Sequence, residues 1–278
     1  MATGLAGLPN YPTGEIMQSS NPVFKRGYAA IENRGGTAVA PSTEELNNLY
    51  NSPAASSMRT GRMTIDDVVA RTALLFVVLV GVGSVAWTLK LGGGALLIGF
   101  IGAMGLGLYL SFSQKVKPGL TITYAALQGL ALGTLSQMYE AAYDGIVGQA
   151  LVATMAAIAG VLWAYKSKRI RVTPKFTRVM MAAFFGYLIL AVGSMIGSFF
   201  GLGNGMGLYG LSGFGPLLAV AGVLLATFFL VLDFDQIEKM IASGAPQEQS
   251  WRAGFALMVT VIWLYLEVLR LISILRRD

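Results

Sequence analysis

Histidine and cysteine are both missing from this 278-residue chain, and charge is scarce: 12% of residues are Asp, Glu, Lys or Arg. A soluble domain carries about 25% charged residues. Without cysteine there is no disulfide framework, no thiol nucleophile and no cysteine–histidine zinc site. Without histidine, HExxH metalloproteases and serine–histidine catalysts are excluded. Carboxylate, lysine, tyrosine and hydroxyl groups remain for proton or metal chemistry. The chain is 55% hydrophobic and its mean hydropathy is +0.63. Its apolar residues lie in long, nearly charge-free blocks that would expose more apolar surface in water than a soluble monomer tolerates. The solvent that fits is a lipid bilayer. The net charge of +6 sits mostly in loops beside those blocks, which argues for membrane topology and against nucleic acid as a partner.

Residues 1–58 differ from the rest. Gly, Pro, Ser, Asn and Thr dominate, and no apolar period persists. Such a composition buries too little surface to offset chain entropy, so a disordered polar tail is expected. It has no apolar core of the kind a signal peptide needs. Phe24, Tyr28 and Tyr50 are its candidate contact points for other membrane proteins. Residues 59–278 form the expected transmembrane domain. Thr64 reads as an N-cap, followed by Asp66 and Asp67 in the first turn, where a helix dipole favours acids.

A bilayer needs about 20 apolar residues per helix. On that length the chain divides into seven spans, near 69–89, 91–112, 119–139, 146–165, 179–200, 216–236 and 254–275. Six basic residues (Lys166, Lys168, Arg169, Arg171, Lys175 and Arg178) crowd the connection between spans four and five, and Lys115 and Lys117 lie between spans two and three. Acidic residues mark the connection after span three (Glu140 and Asp144), and the stretch 201–215 carries no charge. By the positive-inside rule the basic loops are cytoplasmic, and so is the N-terminus of this multi-pass protein of the cell (inner or plasma) membrane. Seven crossings put the C-terminus outside, where Arg276 and Arg277 sit against the rule. Either those charges are tolerated or the last segment is re-entrant, and seven crossings is the favoured reading. Small residues four apart (Ala95, Gly99, Ala103 and Gly107; Ala125, Gly129 and Gly133; Gly193 and Gly197) predict seams of close helix packing. The glycines at 81 and 83 fall inside a span with no preceding strand, which argues against a nucleotide site.

Charges inside spans are rare and mostly functional. They cluster late in this chain: Asp233, Asp235 and Glu238 end span six, and Glu267 with Arg270 lies in span seven. Asp233 and Asp235 point about 200° apart on one helix, so only one can face the bundle. Asp235 with Glu238 and Lys239 has a plain alternative as an interfacial helix end. Glu267 with Arg270, at i and i+3, has one as a local structural pair. Gln128, Gln137, Tyr124 and Tyr187 are expected to be interhelical hydrogen-bond partners.

Leu232-Asp233-Phe234-Asp235-Gln236-Ile237, followed by Leu264-Tyr265-Leu266-Glu267-Val268-Leu269, resembles the last two helices of the transmembrane Bax inhibitor motif family. Met63-Thr64-Ile65-Asp66-Asp67-Val68-Val69-Ala70-Arg71-Thr72-Ala73 resembles the start of helix one in its bacterial YccA-like branch. The likeness runs over about residues 63–278. It implies an all-α seven-transmembrane-helix bundle with the last helix central, and a pH-sensitive calcium leak governed by two acids. The family's acid on helix six matches Asp233, and that on helix seven matches Glu267. These two are the expected calcium-binding and pH-sensing residues, facing each other, with Arg270 and Asp235 in support. The resemblance implies that some bacterial relatives hold the pair with an arginine on helix two. Span two has no basic residue here, so either Arg270 takes that role or the latch is absent.

Calcium or protons are thus the expected transported partners, with no resident cofactor. The second reading is a non-transporting regulator that binds other membrane proteins, such as membrane proteases. An enzyme is not expected. The nearest match to the GxGD element of intramembrane aspartyl proteases, Gly201-Leu202-Gly203-Asn204, ends in an amide that cannot serve as the acid. The charge pattern sets a topology test in a chain free of native cysteine. A cysteine at Ser167 should be labelled only from the cytoplasmic side and one at Asp278 only from outside. Cytoplasmic labelling at 278 would refute seven crossings.

Overall fold

The computed structural model describes residues 61–113, 115–167, 172–205, 207–211 and 214–276. The tail expected over 1–58, with Phe24, Tyr28 and Tyr50, lies outside them. Among the described residues the regular structure is helical, apart from an isolated bridge between Arg62 and Pro246. Seven α-helices run in order: α1 (Ile65–Thr88), α2 (Gly93–Phe112), α3 (Pro118–Ala142), α4 (Ile146–Lys166), α5 (Pro174–Phe199), α6 (Phe214–Ala242) and α7 (Gln249–Leu275). Two short 3-10 turns, Leu202–Gly205 and Gly207–Gly210, join α5 to α6.

Local chemistry accounts for the helix starts. Thr64 caps α1 in a reciprocal capping box with Asp67, which satisfies two otherwise orphaned donors. Pro118 and Pro174 open α3 and α5, where the missing N–H costs nothing. Gly145, at φ +73°, turns the chain from α3 into α4 in the left-handed region that glycine tolerates.

Among the described residues six helices are long and apolar enough to cross a membrane. The exception is α3. It is 25 residues long, but Thr121, Thr123, Gln128, Thr134, Ser136 and Gln137 dilute its apolar content. Three of them, Thr121, Thr134 and Ser136, are buried on a flank packed against protein, together with Tyr124, Ala125, Gly129, Leu132 and Gly133.

Two of the three predicted small-residue seams meet on α3. A Cβ at Gly129 would overlap the Leu79 carbonyl oxygen, and one at Gly133 would overlap that of Gly83. Gly83 is therefore a packing contact between α1 and α3. On the other flank, a Cβ at Gly99 of α2 would stand 2.7 Å from the Ala131 backbone nitrogen. The third seam does not form: Gly193 has open space around it, and Gly197 meets only the Leu202 side chain.

Contacts between helix ends divide the bundle into two ends. At one, Met63 N–H donates to the Ala245 carbonyl at 2.8 Å and Gln247 N–H to that of Gly61 at 2.8 Å. Arg252 donates to the Ser113 carbonyl at 2.6 Å, and the Tyr165 hydroxyl donates to Glu238. The start of α1 and the α2–α3, α4–α5 and α6–α7 connections thus share an end. At the other, Arg276 donates to the Asp144 carbonyl at 2.6 Å. The last segment is one unbroken 27-residue helix, about 40 Å long, and does not turn back on itself. It is also the helix with the largest buried share, 56% of its apolar window. Leu264, Met258 and Leu269 are almost wholly enclosed.

The α1–α3 seam yields a stability prediction. Gly133→Ala forces a methyl group into the Gly83 backbone and should lower stability by about 1–3 kcal/mol, read as a drop in thermal midpoint in detergent. Gly81→Ala, with open space around its Cβ, should leave the midpoint unchanged or raise it.

Candidate functional site

Glu267 is the most deeply buried charged side chain among the described residues, at 3% exposure. It lies eight residues before the end of α7, about 12 Å inward. Every partner it has is a donor. Arg270 Nη1 reaches both carboxylate oxygens, at 2.9 and 3.0 Å. The Tyr187 hydroxyl of α5 donates to Oε1 at 2.6 Å, and Trp263 Nε1 donates to the same oxygen at 3.2 Å. Tyr187 in turn shares a 2.6 Å hydrogen bond with the Tyr209 hydroxyl, and the Tyr209 ring lies 4.3 Å from the Arg270 guanidinium carbon. The cation is thus held between a carboxylate and an aromatic face, both of which favour it.

Two glycines make this cluster possible. Gly222 of α6 faces the carboxylate: a Cβ there would stand 2.6 Å from both Glu267 Oε2 and the Tyr187 hydroxyl oxygen. Gly207, at φ +62°, lets the second 3-10 turn close onto α5, where a Cβ would overlap the Ser194 carbonyl oxygen. The Leu208 N–H completes that closure by donating to Ser194 Oγ at 2.9 Å. The turn thereby carries Tyr209 to Tyr187. A cavity of about 560 Å³ adjoins the cluster, bounded by α5 and α7, with Tyr139 of α3 and Tyr209 at one end.

Asp233 belongs to a different level of the bundle. Its Oδ2 is buried without a hydrogen-bond partner, and the residue beside it on α7 is Thr260. Asp233 and Gly222 are eleven residues apart on α6, about 16 Å, and Thr260 and Glu267 are seven apart on α7, about 10 Å. The expectation that Asp233 and Glu267 face each other is therefore corrected. The tight α6–α7 turn sets an antiparallel register that pairs Asp233 with Thr260 and Gly222 with Glu267. The two carboxylates cannot bind one calcium ion, whose oxygen ligands lie at 2.3–2.6 Å. Among the described residues no three acidic side chains gather into a metal-ligand group.

The other named residues separate cleanly. Asp235 forms an i,i+4 ion pair with Lys239 on the flank of α6, away from Asp233. Arg270 engages Glu267 alone of the two acids. Tyr187 is the interhelical hydrogen-bond partner that its place in span five suggested. Tyr209, Trp263 and Gly222 join the site without any mark in the sequence. A tyrosine in an uncharged loop, a tryptophan in an apolar run and a glycine in an apolar helix carry no sequence signal of a shared site.

Fold and site together define a multi-pass helical membrane protein with a buried charged cluster in its last helix. The chain belongs to the Bax inhibitor 1 like family, whose model matches residues 21–277. That match begins inside the stretch that composition set apart as a tail. Among curated proteins none matches the chain.

The Glu267–Arg270 pair generates a double-mutant prediction. Removing one partner strands the other charge in a low-dielectric interior, which costs about 3–5 kcal/mol. Glu267→Gln and Arg270→Gln should each lower the thermal midpoint markedly. The double substitution should recover part of the loss, with a coupling of about 1–3 kcal/mol. Strictly additive losses would mean that the two charges do not depend on each other.

Proposed function

We propose that the protein is a pH-sensitive leak path for cations, calcium foremost, across the cell membrane. The observation that carries this reading is Asp233: a carboxyl oxygen buried in the bundle without a hydrogen-bond partner, with the Thr260 side chain beside it. Calcium prefers hard oxygen ligands, and an anion lacking a local counter-charge lowers the barrier for a passing cation. Glu267, neutralised by Arg270, lines the cavity between α5 and α7 and is the second polar station along the path. Protonating Asp233 removes the negative charge, so flux should fall as pH falls.

The proposed topology is seven crossings with the N-terminus cytoplasmic and α7 as the central helix. Its support is the alternation of helix ends and the basic loops gathered at one of them. Arg276, which breaks the charge rule, is engaged by the Asp144 carbonyl. The resemblance of its α1 sequence supports, as part of this proposal, the YccA-like branch of the family.

Calcium flux into proteoliposomes across pH tests the reading. Wild type should leak calcium, with less flux at acid pH. Asp233→Asn should flatten the pH dependence and lower flux roughly tenfold, the effect of losing about 1.4 kcal/mol of ion stabilisation. Asp235→Asn should change little. Absence of flux from folded wild-type protein at every pH would exclude a leak and favour a non-transporting regulator.

A further inference from the structure

The 560 Å³ cavity is large enough for a small-molecule ligand, within the ~300–1,000 Å³ of typical ligand sites. Its shape and address say which kind. It is a slot: on α5 its wall runs from Phe184 to Ser198, fourteen residues or about 21 Å, and on α7 from Val259 to Arg270, about 16 Å. Both helices are long and apolar enough to lie in hydrocarbon. The slot opens sideways: three of its own lining residues, Leu188, Met195 and Val259, are 44%, 54% and 37% exposed. Exposure on membrane-length helices is exposure to lipid. The opening arises because α5 packs thinly on the bundle and buries only Ser194.

The charged end of the slot does not repel hydrocarbon. Glu267 and Arg270 cancel each other, and the Tyr187 and Tyr209 hydroxyls are spent on each other and on Glu267. The remaining wall is aromatic and aliphatic, with Phe184 and Trp263 stacked edge to face at 5.7 Å. We propose that this slot is a binding site for the acyl chain of a membrane lipid, which enters between α5 and α7 and lies against Trp263. An inserted chain excludes water from the Glu267–Arg270 pair, so occupancy of the slot governs the hydration of the cluster. The inference stands on the shape and lining of the slot and does not depend on the leak reading.

Trp263 lies in the wall and serves as the probe. In a full-length chain with Trp87, Trp163 and Trp251 replaced by Phe, Trp263 is the single indole. In vesicles of phosphatidylcholine with brominated acyl chains, its fluorescence should lose most of its intensity relative to unbrominated vesicles, and aqueous iodide should have little effect. Ala191→Phe, which fills the slot from α5, should relieve the bromine quenching. Should the triple replacement fail to fold, the difference between wild type and Trp263→Phe in the same vesicles gives the same reading. Quenching by iodide but not by bromine would make the slot a water-filled vestibule and overturn the proposal. Bromine quenching that Ala191→Phe leaves intact would overturn it as well, since the lipid would then be reaching Trp263 from outside the slot.

Discussion

A charge inside hydrocarbon must find its counter-charge and its hydrogen bonds within reach of its own side chain. Glu267 imposes that condition on the half of the bundle around it. Arg270 supplies the charge from one turn further along α7, but an arginine alone leaves carboxylate lone pairs and guanidinium faces to satisfy. Tyr187 brings α5 in to donate, and Trp263 donates from the preceding turn. Tyr209, on the 3-10 turn, covers the guanidinium. Gly222 clears the space on α6. Helices α5, α6 and α7 and the 3-10 turn Gly207–Gly210 therefore meet at one carboxylate.

The opposite flank is held by shape. Where α1, α2 and α3 cross, backbone lies against backbone at Gly83, Gly129, Gly133 and Gly99, the close approach that small residues allow in lipid. This explains how α3 stays within the bundle although it is the least apolar of the seven. Thr121, Thr134 and Ser136 face protein, and Ser136 hydrogen-bonds Tyr265 of α7 at 2.7 Å.

The helices were legible because the thickness of a bilayer writes itself into the chain as runs of fixed length. Each of the seven predicted segments coincides with a helix, six of them long and apolar enough to cross a membrane among the described residues, and the helices differ from them mainly in extending further into polar ends. Thr64 as a cap, the grouping of Asp235 with Lys239 and the Glu267–Arg270 pair were legible too, because each depends on neighbours within one helical turn. The partner of Asp233 was not. Pairing across two helices is set by the length and geometry of the turn between them, and the run Gly244 to Glu248 does not encode it in any pattern that composition or periodicity can read. The resemblance to a family with two acids made Glu267 the natural choice, as the sole acid in span seven, but the register places Thr260 at that level. The seam expected at Gly193 and Gly197 failed for a related reason: spacing creates a smooth face but not a helix to fill it, and α5 leaves that face open.

The two carboxylates occupy separate levels of the bundle, Asp233 with Thr260 and Glu267 with Gly222. Cross-linking in this cysteine-free chain measures that most directly. A double variant with cysteines replacing Asp233 and Thr260 should form an intramolecular bond on oxidation or with a short bifunctional reagent. The variant with cysteines replacing Asp233 and Glu267 should not, because about 10 Å of helix lies between the levels and a disulfide needs Cα atoms within about 7 Å. Efficient cross-linking of 233 to 267, with none between 233 and 260, would contradict the register and restore a single facing pair.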